Sequence, residues 1–417
     1  MKLFIKQATI LDESSAHHQQ VRDLIIENGI ITQIGASLEN TNNYKEVSAE
    51  GLHISQGWFD SSVSFGEPGF EDRETIENGL ATAAASGFTA VALQPNTNPV
   101  IDSASQLQLV HSKAVDALTQ LYPIGALTSK SEGKDLAELF EMSQNGAIAF
   151  GDYAKYMDNA NLLKISLQYA KDFDGLVIAF SQETSLKGNG VANEGLAATR
   201  LGLKGIPTLA EDLAVARNLQ ILEYTGGKMH IPTVSSPVAV GLIKEAKAKG
   251  LQVSCSVAVH HLVLTDDSLE TFDTRQKTMP PLRNEQQRKA LVKAVKDGTI
   301  DMITSDHNPI DIENKKMEFD LAKSGTIGLE SAFAALMTVL PVETIVNKLT
   351  LGRLFFGVEP PQIIEGAAAE LTFFTTEGSW VFQSSDIKSK SKNSAFLGRK
   401  LKGKVLGTLR ENKLVWS

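Results

Sequence analysis

Cysteine is almost absent from this chain. Cys255 is the only cysteine among 417 residues, so neither an internal disulfide nor a thiolate metal cluster can form. It stands in a short apolar run, 251–257, that predicts a buried strand. This cysteine usage fits a reducing compartment, and we expect the protein in the cytoplasm.

Long apolar runs and excess positive charge are also missing. No stretch is long enough to cross a bilayer, and the N-terminus lacks the apolar core of a signal peptide. The formal net charge is -9 and the pI is near 5.5, which argues against nucleic acid or an anionic membrane as a partner. What is present is 42% hydrophobic content, enough to bury a large core.

The spacing of apolar residues changes twice along the chain. Residues 1–53 show short alternating segments broken by Glu27-Asn28-Gly29, a hairpin signal. Over 54–345, apolar strands of four to six residues alternate with helical stretches, and over 346–417 a helix is followed by strands. This order predicts an α/β fold, a (β/α)8 TIM-like barrel over 54–345 whose chemistry lies at the carboxyl ends of its strands. After the first strand, the barrel strands are predicted at Thr89–Leu93, Leu121–Ile124, Ala147–Phe150, Leu176–Phe180, Met229–Val234, Gln252–Val257 and Asp301–Thr304.

The first barrel strand, in segment 56–69, ends in two small polar residues. Side chains alternate along a strand, so Ser62 and Ser64 are predicted to share one face. Two histidines at such positions could hold one metal ion, whereas hydroxyls that are neutral at pH 7 are poor zinc ligands. Taken alone, Ser-Val-Ser is explained as small polar filler of a strand.

A series of motifs extends from this strand through nearly the whole chain. In their order and spacing they resemble dihydroorotase of the long bacterial type, a member of the amidohydrolase superfamily. The motifs are Glu67-Pro68-Gly69-Phe70, Glu74 to Gly79, Ala83 to Thr89, Gln94 to Asp102, Asn193-Glu194-Gly195, Thr225-Gly226-Gly227, Pro280 to Arg283, Ser305 to Pro309, Gly325 to Glu330 and Gly398 to Val405.

The resemblance implies a small β-sandwich beside the barrel and a metal site that this chain lacks. In the family, the strands of 1–53 and 346–417 would form the sandwich together. The two histidines of the family's His-x-His strand end correspond to Ser62 and Ser64, the third histidine to Ser181 and the fourth to Thr233. All four imidazole positions are therefore degenerate, and no metal cofactor is expected.

Some residues of the implied site keep a carboxylate or an imidazole. Asp306 matches the family's general base, which we expect to be vestigial, and His307 matches a substrate-contacting histidine. Asp152 lies where relatives carry an Asp-Asp pair, and which member it matches stays open. Aspartates before turns also cap backbone amides, so the alternative for Asp152 and Asp306 is a purely structural role.

Substrate recognition is also altered at the implied site. The family's arginine, whose planar fork grips the substrate carboxylate, is replaced by Gly66, and an asparagine before the Pro-Pro-Leu-Arg turn is replaced by Met279. Asn96 keeps its type as a substrate-binding residue. Binding of dihydroorotate is therefore expected to be weak.

Three functions follow from this pattern. The first is a non-catalytic, metal-free homologue, a pseudoenzyme with a structural or regulatory role in pyrimidine biosynthesis. The resemblance implies aspartate transcarbamoylase as its partner, and a homo-oligomer is expected. The alternative is an active dihydroorotase or related cyclic amidohydrolase that hydrolyses a C–N bond with zinc in a rebuilt site, made of Asp152, Asp306 and one of His261 or His307. The third is a small-molecule sensor that keeps the barrel mouth as a pocket.

Overall fold

The computed structural model describes residues 1–41 and 43–416, which form two large sheets with helices packed around one of them. The smaller domain takes its strands from both ends of the chain. Its N-terminal strands are β1 (Lys2–Leu11), β2 (Val21–Glu27), β3 (Ile30–Gly35), β4 (Lys45–Val47) and β5 (Leu52–Gln56). The C-terminal strands are β16 (Glu370–Val381), β17 (Lys400–Arg410) and β18 (Lys413–Trp416).

These eight strands form one continuous sheet rather than two sheets of a sandwich. The order is β18-β17-β16-β5-β1-β2-β3, with β4 added to β1. A bulge between Ile5 and Ala8, where Gln7 has φ 51°, divides β1 into two halves. The first half pairs with β4 and the second with β5, so the sheet changes direction at the bulge and wraps one apolar core. The predicted hairpin is confirmed, since Asn28 and Gly29 turn with positive φ between β2 and β3.

The second sheet is the predicted barrel. Its strands are β6 (Trp58–Val63), β7 (Phe88–Leu93), β8 (Gln120–Gly125), β9 (Ala149–Gly151), β10 (Leu176–Ile178), β13 (Lys228–Ile231), β14 (Val253–Ala258) and β15 (Met302–Thr304). Neighbours in this series pair in parallel. A parallel bridge between Val63 and His307 joins the last strand end to the first, so the sheet is nearly closed. A short parallel pair, β11 (Ala192–Asn193) and β12 (Gly205–Ile206), lies outside the barrel.

Helices follow the barrel strands and cover the outside of the sheet. Local signals mark several of their starts: Ser236 caps the helix that begins at Pro237, and Asn284 forms a capping box with Gln287. The helices are α1 (Ile76–Ala85), α2 (Ala104–Ser112), α3 (Leu139–Gln144), α4 (Ala160–Lys171), α5 (Thr184–Lys187), α6 (Leu196–Leu201), α7 (Leu209–Thr225), α8 (Pro237–Ala248), α9 (Val259–Val263), α10 (Glu285–Lys296), α11 (Ile312–Lys315), α12 (Ala332–Leu336) and α13 (Val342–Thr350). Within residues 1–41 and 43–416, no helix is both long and apolar enough to span a membrane.

Apolar side chains fill the barrel interior below its mouth. A buried cluster of strand residues, including Phe59, Ala92 and Ile124, is joined by Phe356 from the segment after α13. The polar His230 also lies in this interior, where its two ring nitrogens bond Ser254 and Ser256 and its ring contacts Phe356. The barrel interior is therefore a packed core, and the site is expected at its carboxyl end.

The predicted domain boundaries fall inside structural elements. Position 53/54 lies within β5, and position 345/346 lies within α13. Trp58 connects the two parts, since its ring stacks on Phe333 and contacts Phe374, and its Nε1 donates to Ser55 Oγ at 2.9 Å. The small sheet thus continues to Gln56, and the chain contributes to the barrel beyond residue 345.

Candidate functional site

Two of the four residues predicted to stand at the family's metal-binding histidine positions meet at the barrel mouth. Ser62 at the end of β6 and Thr233 after β13 border a cavity of about 20 Å³, together with Asp306 after β15. The remaining lining residues are Gln94, Gly151, Asp152, Tyr153, Ala154, Ile178, Phe180, Pro232 and Met279. The place where the family's metal chemistry is expected is therefore nearly filled by side chains.

Asp306 is the centre of a hydrogen-bonded chain at this mouth. Its Oδ1 accepts from Ser62 Oγ at 3.1 Å and from Tyr153 OH at 3.2 Å. Gln94 Nε2 in turn donates to Ser62 Oγ at 3.1 Å. The carboxyl is only 7% exposed, and this burial raises its pKa from 3.8 to about 7, against the stabilising bonds from Ser62 and Tyr153. Near neutral pH the group is therefore divided between its acid and its anion.

A second buried carboxylate, Asp60, holds the backbone around this chain. Its oxygens accept from Ser62 N at 3.0 Å and Ser305 N at 2.9 Å, and Thr304 Oγ1 also donates to it. Burial raises the pKa of Asp60 despite these bonds. Asp60 thereby fixes the ends of β6 and β15 against each other and sets the distance between Ser62 and Asp306.

Ser64 and Asn96 form a separate pair beside the cavity. Asn96 Nδ2 donates to Ser64 Oγ at 2.9 Å, and Ser64 N donates to His307 O at 2.8 Å. Neither side chain is among the cavity lining residues. Asn96, predicted to bind substrate, is therefore a hydrogen-bond partner of Ser64 and lies outside the cavity lining.

His307, also predicted to contact substrate, is fully buried behind the mouth. Its Nδ1 accepts from Gly328 N at 3.2 Å and Leu329 N at 3.3 Å. Burial lowers its pKa to about 4, so the ring is neutral at pH 7, with its proton on Nε2. In this position the ring supports the backbone of 328–329.

Asp152 borders the cavity but gives its oxygens to a loop. They accept from Leu127 N at 3.0 Å, from Thr128 N at 3.2 Å and from Thr128 Oγ1. Burial raises the pKa of Asp152. These contacts describe the structural alternative for Asp152, in which the side chain holds the loop at Leu127 and Thr128 in place.

The third and fourth degenerate positions are arranged differently from each other. Ser181 Oγ donates to Ala179 O at 3.0 Å and accepts from Asn218 Nδ2 of α7 at 3.1 Å, away from the cavity lining. Thr233 borders the cavity with φ 49°, and its amide donates to Ser256 Oγ at 3.2 Å. Ser62 and Thr233 are thus brought together, whereas Ser64 and Ser181 bind neighbours outside the cavity.

The residues at the mouth do not fit a zinc ion. The side chains at the four positions are hydroxyls with hydrogen-bond partners or apolar surroundings, and hydroxyl is not a favoured zinc ligand. The rebuilt site is not assembled either, because His261 Nε2 contacts Pro280 O at 3.1 Å and Asp152 is occupied by its loop. Among the described residues, no three His, Cys, Asp or Glu side chains lie close enough to hold a metal.

The replacement of the arginine by Gly66 is built into the backbone. Gly66 has φ 97°, and a Cβ at this position would lie 2.7 Å from Phe70 O. A side chain cannot be added there without moving the loop. Met279, the second replacement, borders the mouth cavities. The structure therefore places Gly66 where a side chain is excluded and Met279 in the cavity lining, and weak binding of dihydroorotate stays a prediction.

Sequence reasoning did not assign a role to Asp60, Gln94 or Tyr153. Each lies in or just after a barrel strand, where side chains converge, and a charged residue inside an apolar strand such as Asp60 is itself a signal. For Tyr153 the available signal was its place directly after β9. Its direction toward Asp306 depends on the fold and could not be read from one sequence.

Solved structures of known function share this fold over its full length. An L-hydantoinase (dihydropyrimidinase) from Arthrobacter aurescens superposes with a TM-score of 0.87 at 20% identity, covering 100% of this chain and 96% of that one. A D-hydantoinase (dihydropyrimidinase) from Thermus sp. gives 0.83 at 22% identity, with 100% and 97% covered. The chain therefore has the same barrel fold as these structures, as predicted.

Sequence relatives narrow the class to one family. The family model described as "Dihydro-orotase-like" matches residues 52–238. The chain is 38% identical over 422 residues to a dihydroorotase from Geotalea daltonii, covering 100% of this chain and 99% of the relative, and 36% identical to one from Pelobacter propionicus, with 100% of both covered. This chain belongs to the dihydroorotase family.

Proposed function

We propose that this chain is a non-catalytic, metal-free dihydroorotase homologue of pyrimidine biosynthesis. The observation that carries the proposal is the environment of Asp306. Where a metal-dependent enzyme needs imidazoles, this carboxyl is held by the hydroxyls of Ser62 and Tyr153. The chain thereby keeps the shape of the site and replaces its metal ligands by hydroxyl groups that hydrogen-bond to Asp306.

The rate enhancement that this site could supply without a metal favours inactivity over slow hydrolysis. A bound metal lowers the pKa of its water from about 15.7 to about 7 and polarises the amide carbonyl. Asp306 acting alone would have to deprotonate ordinary water, and general-base catalysis supplies only about 10²- to 10⁴-fold. Enzymes usually reach roughly 10⁶-fold or more. Asp306 is therefore a vestigial base in this proposal.

Restoring histidine at the four positions tests both the proposed loss of metal binding and the correspondence assigned to each position. The variant changes Ser62, Ser64, Ser181 and Thr233 to histidine, and the matched control carries three of these changes but keeps Ser62. Zinc content after dialysis without chelators and ring opening of dihydroorotate are measured on both and on the parent chain. We expect zinc retention in the fourfold variant alone; stoichiometric zinc and turnover in the parent would contradict the proposal.

We further propose a structural or regulatory role with aspartate transcarbamoylase as the partner, in a cytoplasmic homo-oligomeric assembly. The support is the family membership together with the replaced catalytic groups, which leave a full-length, folded barrel without its chemistry. The expected result is co-purification of the two proteins and loss of the transcarbamoylase assembly when this chain is deleted. Independent behaviour of both proteins would reject the partnership.

The second candidate is an active dihydroorotase or related cyclic amidohydrolase with zinc. It is favoured by end-to-end similarity to proteins named dihydroorotase and by Asp306, which keeps its place at the mouth. It predicts equimolar zinc and ring opening of dihydroorotate or a hydantoin by the parent chain. The assay above therefore separates the two candidates.

A further inference from the structure

A second, larger cavity opens on the same aspartate. It measures about 230 Å³ and is bordered by Asp306 and Tyr153, which also border the smaller cavity. The other lining residues are Ala154, Thr278, Met279, Asn308, Ser324, Gly325 and Thr326. Among these described lining residues, Asp306 is the one carboxyl and none carries a positive charge.

The ammonium of Lys277, a cation next to this lining in the sequence, is directed away from the cavity. Lys277, next to Thr278, buries its ammonium against Phe319 O at 2.6 Å and Asp320 O at 3.0 Å. Gly66 removes the arginine that would have met a carboxylate. An anionic ligand in this cavity would face the charge of Asp306 with no counter-charge in the lining, which is costly in a partly dehydrated site.

The hydrogen-bonding groups of the lining favour a different ligand. Oδ1 of Asp306 is used by Ser62 and Tyr153, while Oδ2 receives no hydrogen bond within the part of the chain that the structure describes. Asp306 lines the cavity, so an N–H or O–H group of a ligand there could donate to this free acceptor. Asn308 and Ser324 add neutral polar groups to the lining.

We propose that this cavity binds an uncharged cyclic amide or ureide, a ring that presents N–H groups and lacks the carboxylate of dihydroorotate. A ring N–H donates to Asp306 Oδ2, and the ring carbonyls lie toward the neutral lining. Met279 contacts the apolar face of the ring. The inference rests on the proposed function, because a metal ion beside Asp306 would reverse the local charge.

Two probes with the same ring separate ligand charge from ring shape. Dihydrouracil is neutral, and dihydroorotate differs from it by one carboxylate. Thermal shift and calorimetry on the full chain, at pH 8, should give saturable stabilisation by dihydrouracil and none by dihydroorotate at equal concentration. Equal or tighter binding of dihydroorotate, or no binding of either probe, would overturn the inference.

Variants link the binding to the lining. Asp306→Asn should weaken dihydrouracil on the order of 10-fold, the loss expected for a charge-assisted hydrogen bond, while the exposed Asp116→Asn control is unchanged. Ser324→Lys, which places a cation at the wall, should shift preference toward dihydroorotate. Unchanged preference in both cavity variants would contradict the assignment. Zinc content of the same samples shows separately whether the metal-free premise holds.

Discussion

Replacing Asp306 by asparagine should flatten the pH dependence of folding stability. Burial raises the pKa of this carboxyl from 3.8 to about 7 in the folded chain. Between these two values the folded state holds a proton that the unfolded chain has released, so the free energy of unfolding falls as pH rises. The stability from this group is complete below the unfolded pKa and is lost as pH rises through about 7.

The size of the effect follows from the two pKa values. A difference of about three pKa units, at about 1.36 kcal/mol each, corresponds to roughly 4 kcal/mol at pH 8. Asparagine removes the buried charge, tolerates the φ of 46° at this position, and keeps an oxygen for the Ser62 and Tyr153 donors. The variant should therefore match the parent near pH 4 and exceed its stability above pH 7.

Urea unfolding of both proteins from pH 4 to pH 8 measures this difference. Other titrating groups, such as Asp60 and the buried histidines, are present in both proteins and largely cancel. The matched control is the same substitution at an exposed position, Asp116→Asn. A constant difference between parent and Asp306→Asn across the whole range would refute the buried-carboxyl reasoning.

Three further substitutions test contacts of individual residues. Arg283→Met removes a buried guanidinium, 1% exposed, that pairs with Glu211, and should lower the free energy of unfolding in urea by about 3–5 kcal/mol. The control Arg200→Met, which breaks an exposed ion pair, should lower it by under about 1 kcal/mol. Tyr153→Phe removes a donor to Asp306 and should raise that carboxyl's pKa further, as followed by NMR titration; an unchanged pKa would contradict the contact. Gly66→Arg should lower the melting temperature without restoring dihydroorotate binding, because a Cβ at this position would lie 2.7 Å from a backbone oxygen. A variant that is as stable as the parent and binds dihydroorotate would show that the loop accepts a side chain here.

The barrel could be predicted because its strands are distinct apolar runs. Leu121–Ile124 and Met229–Val234, for example, overlap the observed β8 and β13, since parallel strands covered on both faces need apolar side chains throughout. The sandwich was a poorer prediction. Alternation in 1–53 indicates strands, but it does not say that β1 would bulge at Gln7 and join all eight strands into one sheet.

At the site, residue types were predictable and contacts were not. Regular alternation along the first strand would place Phe59 and Val63 on one face, yet Phe59 packs inside the barrel and Val63 packs in the outer core. Register shifts within β6, between Asp60 and Val63, break the alternation. Such shifts depend on pairing with β7, so the bonds that Ser62 makes could not be derived from its own strand.

Ring opening of dihydroorotate by the parent chain, measured with excess zinc at neutral pH, tests the central claim most directly. A metal-free homologue whose Asp306 is held by Ser62 and Tyr153 should give no rate above the protein-free reaction. Zinc-dependent turnover that scales with protein concentration would contradict it.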